Sequence, residues 1–266
     1  MSYRVCHCVV VDGARVLGGP ERVRVCVSQQ QQTENFSRSV CRQFPIRWQS
    51  SPREAFPHSG VCNLLTFTMA ARRLRTLIAS PGIMQMPCCF DALSAKLVQK
   101  AGYPITFASG FSISAAHGLP DTGLMSFGEM EATMRQITNG LSIPCIGDGD
   151  TGYGNAVNVK RTVRGYTRAG LAGIMIEDQV APKRCGHTKE KAVVDRGTAV
   201  MRVRAAVDAA REAAAEGADP IVIVARTDAR ATHGLEEAIS RAKLFRENGA
   251  DWRFVEARPL ITSDRL

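Results

Sequence analysis

Ser126 to Asp150 reads S-F-G-E-M-E-A-T-M-R-Q-I-T-N-G-L-S-I-P-C-I-G-D-G-D. Ser126 with Glu129 three residues later is a capping box, so a helix starts there. Met130, Met134 and Ile137 recur at helical spacing, and Gly140 closes the helix. Ile143–Gly147 follows as a short run with no polar alternation, stopped by Asp148. The same order of amphipathic helix, glycine, apolar run and polar stop recurs on both sides. Asp91–Ala101 carries Leu93, Leu97 and Val98 on one face and ends at Gly102, before Pro104–Ala108 reaches Ser109. Val159, Val163 and Tyr166 lead to Gly170, and Ala172–Ile176 then meets Glu177. Val200, Val203 and Val207 precede Gly217, and Ile221–Ala225 meets Arg226. Leu235, Ile239, Ala242 and Phe245 precede Gly249 and a strand that reaches Glu256, while Gly82–Cys88 reads as the first strand.

Strands apolar on both faces and alternating with helices imply a buried parallel sheet. An open sheet and a barrel both meet that description. The stops decide between them: Ser109, Asp148, Glu177, Arg226 and Glu256 all sit at strand C-termini, on five consecutive strands. Active sites of (β/α)8 barrels are assembled from several strands at that rim, whereas an open doubly wound sheet gathers its polar groups at one switch point. No G-x-G-x-x-G follows the first strand. The expected fold is therefore α/β, a (β/α)8 TIM-type barrel over residues 74–266, truncated after its sixth strand.

Length and composition exclude several functions. With 266 residues, 45% hydrophobic and 22% charged, the chain is of ordinary globular composition. No apolar run approaches the length a membrane-spanning helix needs. Nine irregularly spaced cysteines without a C-x-x-C pair suggest neither a disulfide framework nor a zinc site, and Cys6-His7-Cys8 lacks a second ligand pair. The net charge of +9 is lopsided: residues 1–73 hold ten Arg against four acids, leaving 24 basic and 21 acidic groups in the rest. A near-balanced body without a basic stripe argues against nucleic acid as a partner. Residues 1–73 contain no Lys, a Gln29–Gln32 run and no sustained apolar period, so they read as a disordered extension. Their Arg-rich, acid-poor composition fits a chloroplast or other organelle transit peptide. A cytoplasmic protein starting at Met69 fits equally well.

Three groups of residues carry chemistry. Asp148-Gly149-Asp150 puts two carboxylates at a barrel mouth, a pattern that suits Mg²⁺, which takes one or two carboxylates and keeps waters. A polar turn capping the next helix is the plainer reading, against which Glu177-Asp178 at the next rim weighs. Cys185 lies in Lys183-Arg184-Cys185-Gly186-His187, within a 17-residue loop from Asp178 to Val194. Loops of that length are often lids, and cationic neighbours lower a thiol's pKa. A catalytic Cys185 and a solvated basic loop both fit that spacing. Arg226 can neutralise the carboxylates or bind an anionic substrate bidentately. Metal, arginine and lysine around one cavity imply a small multi-anionic substrate.

These motifs together resemble the isocitrate lyase and phosphoenolpyruvate mutase superfamily, nearest to its 2-methylisocitrate lyase and plant carboxyvinyl-carboxyphosphonate phosphorylmutase branches. The resemblance rests on S-G-F at Ser109–Phe111, G-L-P-D-T-G at Gly118–Gly123, D-G-D-T-G-Y-G at Asp148–Gly154, I-E-D-Q at Ile176–Gln179, K-R-C-G-H at Lys183–His187, A-R-T-D-A at Ala225–Ala229 and F-V-E-A at Phe254–Ala257. It implies an Mg²⁺-dependent barrel enzyme, with Mn²⁺ as a substitute. Asp148 and Asp150 would hold the metal directly or through water, with Asp121 and Glu177 around it. Ser109, Gly110 and Phe111 would bind the substrate, Gly186, His187 and Arg226 its other anionic groups, and Glu256 would line the pocket. Lys183 would position the lid, and Cys185 would protonate the carbanion-like product of a retro-aldol cleavage.

The implied activity is carbon–carbon cleavage of a small 2-hydroxy di- or tricarboxylate, such as methylisocitrate or a 2-alkylmalate. Members that rearrange a C–P bond carry an asparagine-containing loop instead of K-R-C-G-H, which favours a lyase over a phosphonomutase. The alternative is an inactive, truncated homologue. Phe107 stands where isocitrate-type lyases have a tyrosine, so the resemblance names no acceptor for the hydroxyl proton. The superfamily also draws an asparagine and a glutamate from a seventh strand and builds its tetramer from C-terminal helices. With six strands counted here, that tetramer is expected to be compromised.

Overall fold

The computed structural model describes residues 70–81, 84–186, 188 and 190–256, together with the backbone of Cys6–Val11 and Val23–Ser28. Its strands are β1 (Cys6–Val11), β2 (Val23–Ser28), β3 (Cys88–Cys89), β4 (Thr106–Ala108), β5 (Cys145–Asp148), β6 (Gly173–Glu177), β7 (Val222–Thr227) and β8 (Trp252–Val255). Its helices are α1 (Ala70–Ala79), α2 (Ala92–Lys100), α3 (Gly110–Ala116), α4 (Phe127–Thr138), α5 (Ala156–Arg168), α6 (Arg196–Ala215), α7 (Ala229–His233) and α8 (Leu235–Glu247).

Local chemistry starts these helices where the sequence says it should. Ser126 and Glu129 cap α4 reciprocally, with Ser126 N–H donating to Glu129 Oε2 at 2.7 Å. Asp91 and Asn155 cap α2 and α5 reciprocally as well, and Asp195 caps α6 by accepting the N–H of Thr198. Ser109 caps α3, a short helix that the apolar periodicity did not announce.

Strands β3 to β8 are parallel and lie side by side in chain order. Consecutive order leaves no reversal and hence no switch point, the arrangement of a barrel wall rather than of a doubly wound sheet. Neighbouring residues of one strand serve opposite faces. Ile174 and Ile176 of β6 pack outward with Met134, Val159 and Tyr166 of the helices. Met175 between them joins Leu74, Ile146, Val222, Val224 and Trp252 on the inner face. Two-sided burial is why the strands show no polar alternation. Leu74 from α1, fully buried, closes one end of the inner cluster.

Several expectations need correction. The Leu93–Leu97 stripe of α2 is exposed, at 67% and 57%, and Ala95 is the residue this helix buries. In α8, Leu235 and Ile239 face solvent, while Ala238, Arg241, Ala242 and Phe245 are buried. Arg241 turns inward because Asp178 waits there: its Nη1 donates to Asp178 Oδ2 at 3.1 Å and to the Val194 carbonyl at 2.8 Å, while its Nε meets Glu237 at 2.8 Å. An ion pair thus sets the helix phase that the apolar count misjudged. The first parallel strand is only Cys88–Cys89, and Gly82 and Ile83 lie outside the described residues. Within the stretch read as a disordered extension, β1 pairs antiparallel with β2 and with β8, Val10 opposite Phe254. Both are Val-rich, β-favouring stretches. The rest of residues 1–69 and residues 257–266 lie outside the described residues. Among the described residues no helix is long and apolar enough to cross a membrane.

The two apolar positions Leu74 and Leu97 separate these readings by experiment. Leu74→Ala is expected to cost about 3–5 kcal/mol of unfolding free energy in urea titrations, the range for an emptied core leucine. Leu97→Ala should stay within about 0.5 kcal/mol of the parent.

Candidate active site

The polar residues that stop the strands meet at one end of the sheet. Asp148, Glu177, Cys185 and Arg226 all line a single cavity of about 130 Å³, whose wall also includes Ser109, Phe111, Asp121, Lys183, Gly186 and Glu256. Met86, Phe107, Met175, Val224, Trp252 and Phe254 give the same cavity an apolar part of its lining. Two residues of the expected set are not on that wall. Asp150 lies behind Lys183, and the N–H of Gly110 donates to Asp148 Oδ2 at 3.1 Å. His187 lies outside the described residues.

The aspartate pair is held by backbone geometry. Asp148 ends β5; its Oδ1 accepts the N–H of Asp150 at 3.1 Å, and its carbonyl accepts the hydroxyl of Tyr166 at 2.8 Å. Asp150 itself has φ 47°, a left-handed conformation rarely adopted by a residue with a side chain. A side chain at Gly110 would force the Asp148 carboxylate to move, since a Cβ would stand 2.9 Å from its Oδ2.

Two buried cations organise the carboxylates. Lys183 Nζ lies 2.5 Å from Asp121 Oδ1 and 2.6 Å from Asp150 Oδ1, with all three side chains under a tenth exposed. Burial and the neighbouring Asp148 nevertheless hold the Asp150 carboxyl up at about 7, Lys183 offsetting only part of the cost. Burial alone would lower the ammonium of Lys183, but Asp150, Asp148, Glu177 and Asp121 overcome it and keep Lys183 charged. Arg226 Nε stands 2.9 Å from Asp228 Oδ2 and 3.3 Å from Glu177 Oε2, and its Nη2 reaches Asp228 Oδ1 at 3.0 Å and Glu256 Oε2 at 3.5 Å. Burial raises Glu177 well above the usual carboxylate range despite Arg226. For Asp228 the opposite holds: burial is outweighed by Arg226 and Lys191, which bring it down to about 2.

Asp228 and Lys191 were not singled out from the sequence. Asp228 could have been, since it follows Arg226 by two residues in A-R-T-D-A; Lys191 gives no signal of its own. Tyr166 was read only as part of an apolar stripe. Ser109, placed at the cavity wall, is the N-cap of α3.

Whether these groups fit a divalent cation is answered by their unsatisfied atoms. Among the described residues, Glu177 Oε1 is buried with no hydrogen-bond partner, and Asp150 Oδ1 is at ion-pair distance from Lys183 yet outside hydrogen-bond alignment with it. No three His, Cys, Asp or Glu side chains among the described residues converge tightly enough to hold a metal unaided. A hard cation that takes one or two carboxylates and retains waters fits that donor set.

A family model described as phosphoenolpyruvate phosphomutase matches residues 74–261. The chain belongs to the PEP mutase/isocitrate lyase superfamily. Within the superfamily it is 41% identical over 188 residues to 2,3-dimethylmalate lyase of Eubacterium barkeri, 70% of this chain and 63% of that protein. To the chloroplastic carboxyvinyl-carboxyphosphonate phosphorylmutase of Arabidopsis thaliana it is 45% identical over 190 residues, 70% of this chain and 54% of the relative. To 2-methylisocitrate lyase of Aeropyrum pernix it is 42% identical over 184 residues, covering 69% and 57%. A crystal structure of 2,3-dimethylmalate lyase superposes with a TM-score of 0.67 at 41% identity, covering 71% of this chain and 62% of that one. Oxaloacetate acetylhydrolase bound to 3,3-difluorooxalacetate gives 0.66 at 37%, covering 70% and 62%. Phosphonopyruvate hydrolase with oxalate and Mg²⁺ gives 0.60 at 32%, covering 68% and 61%. The chain thus spans less than two thirds of the length of these relatives, and its parallel strands match the superfamily's TIM-barrel enzymes over about 70% of the chain.

The charge arrangement makes two predictions. Asp150 has a folded pKa raised above its ordinary value near 4. The stability it contributes is therefore complete below about pH 4 and declines as pH rises through about 7. Melting temperature in EDTA should fall across that window, and Asp150→Asn should flatten the fall. Asp228→Asn leaves Arg226 and Lys191 buried with one carboxylate fewer, and is expected to cost about 3–5 kcal/mol in equilibrium unfolding.

Proposed function

We propose that this protein is a divalent-cation-dependent carbon–carbon lyase acting on a small 2-hydroxy di- or tricarboxylate, of the methylisocitrate or 2-alkylmalate type. The observation that carries the reading is the meeting of Asp148, Glu177, Cys185 and Arg226 on one cavity, where the buried Glu177 Oε1 has no hydrogen-bond donor. Relatives named for cleaving dimethylmalate and methylisocitrate support it.

In this reading Mg²⁺, with Mn²⁺ as a substitute, would be held by Asp148 and Asp150 directly or through water, with Asp121 and Glu177 around it. When bound, the cation supplies positive charge beside the oxygen on which negative charge develops. Arg226, anchored by Asp228 and flanked by Glu256, lends fixed positive charge to a substrate carboxylate without reorganising during the reaction. Ser109 and Phe111 face the same space. The apolar wall of Phe107, Trp252 and Phe254 excludes water from the reacting bond and suits an alkyl substituent.

The electron balance is that of a retro-aldol step. The substrate hydroxyl loses its proton and becomes the carbonyl of a 2-oxo acid. The bond to the neighbouring carbon breaks, its electron pair staying with the carbon next to a carboxylate, and the Cys185 thiol protonates that carbon. Phe107 offers no acceptor for the hydroxyl proton, so it passes to the carboxylate wall, where Glu177 Oε1 is unpartnered. The K-R-C-G-H sequence of the loop favours this chemistry over C–P rearrangement.

The test is oxo-acid release by the full chain with Mg²⁺ and a panel of 2-alkylmalates, methylisocitrate and phosphonopyruvate. Release from an alkylmalate or methylisocitrate, abolished by EDTA, is expected. Cys185→Ser should lower turnover by about 100-fold or more, the size of a lost general acid, with Mg²⁺ affinity unchanged. Turnover of phosphonopyruvate alone would replace the reading with C–P chemistry, and silence across the panel would leave a non-catalytic homologue.

A further inference from the structure

Lys191 stands apart from the residues assigned above. It follows the K-R-C-G-H turn by four positions, and nothing in its sequence surroundings separates it from the solvated lysines of a basic loop. Its side chain is 2% exposed. The ammonium has two acceptors of different origin: the carbonyl of Gly186 at 2.8 Å, within the turn, and Asp228 Oδ1 at 2.7 Å, on the segment that leaves β7. Asp228 is fully buried, and its other interactions grip the guanidinium of Arg226. One ammonium therefore links the backbone beside Cys185 to the carboxylate that orients Arg226.

Two further observations show that the turn is seated on the rim. Gly186 lies so close to the cavity wall that a Cβ there would meet Arg226 Nη2 at 2.7 Å and Glu256 Cδ at 3.2 Å. The chain around Lys191 is also anchored. Glu190 takes φ 61°, Val180 N–H donates to the Ala192 carbonyl and Val194 N–H to the Asp178 carbonyl, each at 2.9 Å. The backbone of residues 192–194 is thus paired with residues 178–180, and the residue before Lys191 is left-handed.

We infer that Lys191 is a positioning residue that fixes the Cys185–Gly186 backbone against the Arg226–Asp228 pair, so that thiol and guanidinium keep one geometry across the cavity. It touches no reacting atom. A buried, charged donor with two acceptors is suited to this task, because releasing either contact leaves a desolvated charge underpaired. A 1 Å misplacement of a catalytic group costs much of its effect, so such a tether is worth its desolvation.

The inference rests on the lyase reading for its purpose but not for its test. Alkylation of Cys185 by iodoacetamide, followed peptide by peptide in the full chain, reports how firmly the turn is seated without requiring turnover. Lys191→Met, close in size and uncharged, should raise the Cys185 alkylation rate by about tenfold or more, the change expected for a lost hydrogen bond to a charged group. Cys88, which lines the same cavity from β3 and not from the turn, serves as the internal reference and should change little. If the lyase activity is present, the same variant should lower kcat far more than it weakens Mg²⁺ binding, and Lys191→Arg should recover part of it. Should Lys191→Met lose cooperative unfolding, Lys191→Gln keeps one donor and should show an intermediate alkylation rate. A Cys185 rate in the folded variant equal to that of the parent overturns the inference. A faster rate in a protein that cleaves none of the carboxylates sustains the tether and removes the proposed function instead.

Discussion

The rim of this sheet is held by a balance of buried charge. Lys183 and Arg226 are two cations set among Asp121, Asp148, Asp150, Glu177, Asp228 and Glu256, and Lys191 adds a third behind them. Each ion left water at a cost of several kcal/mol, and only mutual pairing makes that tolerable. The pairings cross the fold: Asp150 follows β5, Glu177 ends β6, Arg226 belongs to β7 and Glu256 follows β8. Four consecutive strand exits are therefore tied to one electrostatic arrangement. Displacing any one of them would strand a charge in a place where the local dielectric makes strandedness expensive.

The balance is deliberately incomplete on the acidic side. Six carboxylates face three cations; burial, with neighbouring acids adding to it, holds the Asp150 and Glu177 carboxyls above their ordinary range, and Glu177 Oε1 has no donor. A cavity wall with surplus negative charge has capacity for an added cation. Around Arg226 the buried Asp228 is instead brought low, and the guanidinium is locked between Asp228, Glu177 and Glu256. The sheet beneath supplies the rigidity, since residues such as Met175 and Ile176 are buried on opposite faces and neither face can shift without opening a packed layer.

Much of this was legible in the chain itself. Ser126 and Glu129 capped α4 as read, and the strand ends fell within a residue or two of Ser109, Asp148, Glu177, Arg226 and Glu256. These features are local: a cap is a hydrogen bond across three residues, and a strand stops where its run of apolar residues does. Leu93, Leu97, Leu235 and Ile239 misled because periodicity identifies a helix but says little about which face is covered. Coverage depends on neighbours far along the chain, and in α8 it was decided by an arginine reaching Asp178, 63 residues away. The tie from Lys191 to Asp228, 37 residues apart, was invisible for the same reason.

The sequence by itself determined the repeating helix and strand order, the parallel sheet and the identity of the groups at its exits, because capping, glycine stops and two-sided burial are written in short stretches. Tertiary structure alone decided which charges pair. Asp150 faces Lys183 rather than the open cavity, Gly110 serves Asp148, and Arg226 is gripped by Asp228. Those choices follow from distances between segments remote in the chain, and burial turns each such distance into an interaction strong enough to matter.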